Sequence, residues 1–125
     1  MECEVFGVVA YDPEMTYYEV NEAELALIAG VQEMLKTIDA EHLDFWGTGD
    51  GLQFQFTLSE FNAALLRETA TGLSAILPDG LAGRLVGLDK QLTRIIALEL
   101  GNDGARDLAF FRLAGSEAER GSRTS

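Results

Sequence analysis

The sequence predicts an α+β fold in which two helices pack on one face of a mainly antiparallel sheet. Two observations carry this expectation. Apolar side chains recur at three-and-four spacing in two segments and alternate in others, and the segments follow one another as strand, helix, two strands, helix and then two or three strands. A chain of 125 residues is large enough to bury one core without disulfides or structural metal. No internal repeat or long linker divides it, so residues 1–114 are read as a single domain. Residues 115–125, Gly-Ser-Glu-Ala-Glu-Arg-Gly-Ser-Arg-Thr-Ser, carry no large apolar side chain and are read as a disordered tail.

Residues 3–10 form a nearly continuous valine-rich run, which suits a central strand covered on both faces. Residues 11–20 break periodicity around a Tyr-Asp-Pro-Glu turn signal and read as a surface loop. Asn21 followed by Glu24 has the spacing of a capping box, and Glu22 adds favourable charge in a first turn, so the first helix is expected to start there. Leu27, Ile28, Val31, Met34, Leu35 and Ile38 then trace its buried face. In residues 43–58 the period becomes two, interrupted by Gly47-Thr48-Gly49-Asp50-Gly51. Leu52, Phe54, Phe56 and Leu58 alternate with Gln53, Gln55 and Thr57, which predicts a hairpin.

Thr57 or Ser59 can cap a second helix, whose stripe runs through Phe61, Leu65, Leu66, Ala70, Leu73, Ile76 and Leu77 to a stop at Pro78-Asp79-Gly80. Residues 92–100 alternate as a strand before the turn Gly101-Asn102-Asp103-Gly104. A helix over residues 89–101, with Asp89 as cap and Gly101 as stop, is the competing assignment. Residues 108–114 complete a last strand, with Phe110 and Phe111 on opposite faces. The first six elements match the ferredoxin-like βαββαβ order, followed by one or two extra C-terminal strands. This arrangement serves many unrelated functions and implies none.

Charge is distributed unevenly. The first sixty positions hold thirteen acidic side chains and one basic one, Lys36, so that segment contains the chain's whole formal charge of −12; the remainder carries eight of each sign. Such a field repels anionic partners and steers cationic ones. Nucleic acid and anionic membranes are therefore unsuitable partners, since both demand clustered Lys and Arg, and no apolar run approaches the roughly 18 to 20 residues that span a bilayer. The start Met1-Glu2-Cys3-Glu4 is acidic where a secretory leader is basic, and one cysteine cannot form an internal disulfide, so a cytoplasmic setting is expected. Cys3 reads as a buried, unreactive thiol.

Within the acidic half, Asp12, Glu14, Tyr17, Tyr18 and Glu19 are the candidate partner-binding residues. Tyrosine gives broad, rigid contact area, and carboxylates give charge-assisted hydrogen bonds to Lys or Arg. Unless the two tyrosines fold back under the first helix, acid and aromatic groups together suit a basic protein surface. The adjacent tyrosine pair among acids resembles the recognition surface of nuclease-toxin immunity proteins.

Trp46 joins the candidates as an indole on the polar face of its hairpin with Asp44, Gln53 and Gln55; it is either an exposed contact or lies beneath the long loop. Gly49-Asp50-Gly51 is similar to the metal-binding turn of nucleotidyl cyclase domains, which would need Asp12 as a second carboxylate, although a tight turn alone accounts for the glycines. His42, the only histidine, lacks the neighbours for a metal site or a triad. No catalytic residue, metal ligand or cofactor is assigned.

The sequence thus predicts a non-enzymatic acidic interaction domain (an inhibitor, immunity factor or regulatory subunit) engaging a cationic protein. A small-molecule or divalent-metal-binding domain using the Gly49-Asp50-Gly51 hairpin and Asp12 is the alternative. Arg84, Lys90, Arg94, Arg106 and Arg112, on the late strands, either guard sheet edges or meet a second copy in a homo-oligomer.

Overall fold

The valine-rich run becomes β1 (Cys3–Ala10), the strand around which the sheet is assembled. The computed structural model describes residues 2–91 and 93–112. After β1 come α1 (Tyr17–Leu35), β2 (Glu41–Gly47), β3 (Gly51–Leu58), α2 (Ala63–Ala75), β4 (Ala82–Asp89), β5 (Arg94–Leu100) and β6 (Arg106–Arg112). All strand pairings are antiparallel, in the order β2-β3-β1-β4-β5-β6. Over the described residues the fold is α+β, with two α-helices and a six-stranded antiparallel sheet.

One face of the sheet and the inner stripes of both helices make the core. β1 supplies Cys3, Val5 and Val9, β3 supplies Leu52, Phe54, Phe56 and Leu58, and β5 supplies Ile96, Leu98 and Leu100, all essentially buried. Ala23, Leu27, Val31 and Leu35 face them from α1, and Leu66, Ala70 and Leu73 from α2, as the three-and-four spacing requires. Gly7 lacks a side chain where the Phe54 ring fills the space, so any Cβ there would collide with the ring.

Several sequence expectations shift. The first helix is capped five residues before the expected place, at Thr16 instead of Asn21, because Thr16-Tyr17-Tyr18-Glu19 offers the same capping pattern as Asn21–Glu24 and is the one used. The Thr16 hydroxyl accepts from the Glu19 amide at 3.1 Å, and the Glu19 carboxylate accepts from the Thr16 amide at 2.8 Å. Met15 and Val20, at the two positions of a hydrophobic staple, both pack against the core and favour this earlier start. Asn21, Glu22 and Glu24 therefore lie inside α1.

Asn62, not Thr57 or Ser59, caps α2 through the Leu65 amide at 3.0 Å, and α2 ends at Ala75, ahead of Pro78. Residues 94–100 are strand rather than helix. The last strand begins at Arg106 instead of residue 108, and the tail assignment for residues 115–125 lies outside the described residues. β1 is central but covered on one side only: Val5 and Val9 are buried while Phe6 and Val8 are 41% and 38% exposed. The run looked two-sided because its outward face is apolar as well.

The β4–β5 turn is tied by Asp89, a carboxylate only 1% exposed. It accepts from the Gln91 amide at 2.9 Å, the Thr93 hydroxyl at 3.2 Å, and Arg94 Nε and Nη2 at 3.2 and 3.0 Å. The Arg94 guanidinium also stacks on Phe61, 4.6 Å from the ring centre. The Gln91 amide first, then Arg94 and Thr93, hold the carboxyl below the usual Asp range against the opposing effect of burial.

A folded-state value below the unfolded one stabilises the protein above the unfolded pKa of about 3.9, and that contribution disappears as pH falls through the lower folded value. Asp89→Ala is expected to lower stability by about 2–3 kcal/mol at neutral pH, by leaving buried donors unmatched. Urea unfolding should show the midpoint fall at unchanged slope. The deficit should shrink below about pH 4.

Candidate functional site

The acidic loop and helix start are built on a short connection of residues 11–16. Tyr11 anchors it. Its ring is buried, its amide donates to the Asp50 carbonyl at 2.9 Å, and its hydroxyl donates to Glu24 Oε1 at 2.8 Å. Burial first, then Glu24, raises the phenol's pKa well above the usual tyrosine value. Glu24 also lies against Gly47, where a Cβ would stand 2.8 Å from Oε1. Strand β1, helix α1 and the β2–β3 hairpin are thereby pinned together at one end of the sheet. Neither Tyr11 nor Glu24 was singled out for this from the sequence, because the bond spans thirteen positions and has no local pattern.

From that anchor Pro13 turns the chain. Asp12 Oδ1 accepts from the Glu14 amide at 2.9 Å, and the Asp12 carbonyl accepts from the Met15 amide at 3.0 Å. This Asx turn delivers Thr16 to its capping position. Tyr17 and Tyr18 follow as the first two helical residues and are 82% and 71% exposed. They do not fold back beneath α1; the buried stripe begins beyond them, at Ala23. Asp12, Glu14, Glu19 and Glu22 are exposed around them. None of the four meets a Lys or Arg among the described residues. Glu19 has structural work in the capping box, and its charge suits the positive end of the helix dipole. Asp12 and Glu14 carry charge that no contact of their side chains with a cation among the described residues explains.

Trp46 does not join this surface. It is 41% exposed on the face of the sheet turned away from the helices, opposite Gln53, and borders a shallow groove of about 230 Å³ with Phe6, Val8, Gln53, Arg84 and Val86. The simple alternation placed it correctly on its hairpin, but Tyr17 and Tyr18 sit in the other layer. On the same open face, Phe6, Val8 and Phe111 are exposed. Leu25 on α1 is a further exposed apolar side chain, 67% accessible. Phe111 follows from the sequence as the member of the Phe110–Phe111 pair on the face away from the helices, whereas Phe6, Val8 and Leu25 are not candidates there, because an apolar residue in a periodic segment reads as core.

The turn Gly49-Asp50-Gly51 has a structural explanation. Gly49 has φ +87°, and the Thr48 amide and hydroxyl both bond the Gly51 carbonyl, at 3.0 and 3.2 Å. Among the described residues no group of three or more His, Cys, Asp or Glu side chains is arranged to hold a metal ion. His42 occupies a bulge of β2 with φ 57°. Cys3 is fully buried, and burial pushes its thiol up to about 11, away from reactivity.

The helix cap and the tyrosines have separable roles. Thr16→Ala should cost about 1 kcal/mol of stability through loss of the cap, whereas Tyr17→Ala and Tyr18→Ala should each stay within about 0.5 kcal/mol of the parent. Chemical denaturation of the three variants distinguishes framework from free surface. Comparison with protein-family models, with curated proteins and with solved structures finds no match to this chain.

Proposed function

We propose that this protein is a non-enzymatic interaction domain that engages a cationic protein through the start of α1. The observation that supports this reading is the adjacent pair Tyr17 and Tyr18, 82% and 71% exposed, projecting from a capped helix end among carboxylates that meet no cation among the described residues. Asp12, Glu14 and Glu22 steer the partner, and the tyrosines are the side chains that desolvate on contact. Inhibitor, immunity factor and regulatory subunit are the roles that fit such a surface. A cytoplasmic setting agrees with a single, buried, reduced cysteine.

The scaffold reads as ferredoxin-like over its first six elements. Support comes from β1 lying between β3 and β4, with α1 and α2 as the connections that skip a strand; β5 and β6 then extend the sheet. The small-molecule or metal reading draws no support from Asp12 and Asp50. The Asp12 carboxylate is engaged by the Glu14 amide, and Asp50 sits in a turn explained by its glycines.

Immobilised protein should retain a basic protein from an extract of the native host at low salt and release it at moderate salt. The Tyr17→Ala/Tyr18→Ala variant should retain none. With the partner isolated, Asp12→Ala and Glu14→Ala should slow association and flatten its salt dependence, with a smaller effect on dissociation. An association rate indifferent to salt would overturn the reading.

A further inference from the structure

We propose that the open face of the sheet, opposite the helices, binds a second copy of this chain, forming a two-fold dimer with the sheets packed face to face. Its centre is apolar, built from Phe6, Val8, Val86, Leu88, Ile95 and Phe111, which the strand registers bring side by side across four strands. Phe6, Val8 and Phe111 are 41%, 38% and 56% exposed. A contiguous apolar surface at the middle of a sheet marks a contact site.

Area and charge both favour a second copy. Six strands spaced about 4.8 Å apart and seven or eight residues long at about 3.3 Å each present a face of roughly 600 Å². Two such faces bury about 1,200 Å², the lower bound of a standard stable interface. Arg84 stands on this face between Val8 and Glu99 and forms no ion pair among the described residues, since the Glu99 carboxylate is held by Arg106. The carboxylates of Glu4 and Asp44 lie toward the β2 side of the same face, Asp44 in the row of Gln55 and Glu4 in the next row, opposite Thr57.

A two-fold axis that passes between Phe6 and Val86 and runs diagonal to the strands crosses the strands of the two copies near right angles, one of the two preferred sheet packings. It sets Arg84 of each copy over Glu4 and Asp44 of the other. One self-complementary patch thus matches cation to acid twice, as an isologous contact must. The helix layers and the Tyr17–Tyr18 surface remain outside it, so the dimer does not depend on the proposed partner.

Sedimentation equilibrium from micromolar to sub-millimolar protein at physiological salt tests this. The parent should dimerise. Phe6→Lys should be monomeric throughout, and Arg84→Glu should weaken the dimer by about tenfold or more. Adding Asp44→Arg to Arg84→Glu should recover most of that loss. All three variants change outward-facing side chains, and retained far-ultraviolet dichroism and melting would show that each is folded. A monomeric parent, or a dimer indifferent to Phe6→Lys and Arg84→Glu, overturns the proposal and leaves the face to a different occupant.

Discussion

The contact on which the rest of the structure turns is Phe54 laid over Gly7, at the centre of the β1–β3 pair. The Phe54 ring occupies the volume that any side chain at position 7 would need. It stacks on Phe56 with centroids 6.5 Å apart and meets Phe45 of the edge strand at 6.0 Å. Three strands are locked in register by one aromatic row, since a slip of one residue would turn those rings out to water. With β1 fixed between β3 and β4, both helices share the face that holds the rings. The opposite face, with Phe6 and Val8, is then left to other means of covering. The exposed apolar surface is a direct consequence of the core geometry and not a separate feature added to it.

Much of the architecture was legible because it rests on periodicity. The stripe from Leu27 to Ile38 and the alternation from Leu52 to Leu58 each admit one buried face. What was misread depended on competition between equal local signals or on distance in sequence. Thr16–Glu19 and Asn21–Glu24 are both good capping boxes, and the earlier one is used, with Met15 and Val20 packed on the core beside it. β1 shows a different limit. Composition reports that both of its faces are apolar, but it does not report whether a second layer exists to cover the outer one.

The candidate surface was partly legible for the same reason. The dense acids and paired tyrosines of residues 12–19 are local facts. Their exposure follows from the helix start, which decides that Tyr17 and Tyr18 lead the helix ahead of its buried stripe. Trp46 illustrates the converse. Its face on the hairpin followed from alternation, but its separation from the tyrosines is a matter of layers, which no spacing encodes. The network of Tyr11, Glu24 and Gly47 that holds the helix start against the hairpin joins three separate elements and became visible only in three dimensions.

The two proposed surfaces respond to charge in opposite senses, and the reason is the unequal halves of the chain. At long range two copies, each carrying −12, repel one another, and that repulsion is screened beyond roughly 10 Å at 0.1 M salt. The apolar centre of the open face and the close approach of Arg84 to carboxylates act at shorter range and survive the screening better. Added salt therefore removes more of what opposes self-association than of what drives it. At the start of α1 the same field is the attraction, so salt weakens encounter with a cationic partner. A dimer joined through its open faces also carries two such helix starts on its outer layers. A multivalent basic partner that spans both would gain an effective concentration without any new contact.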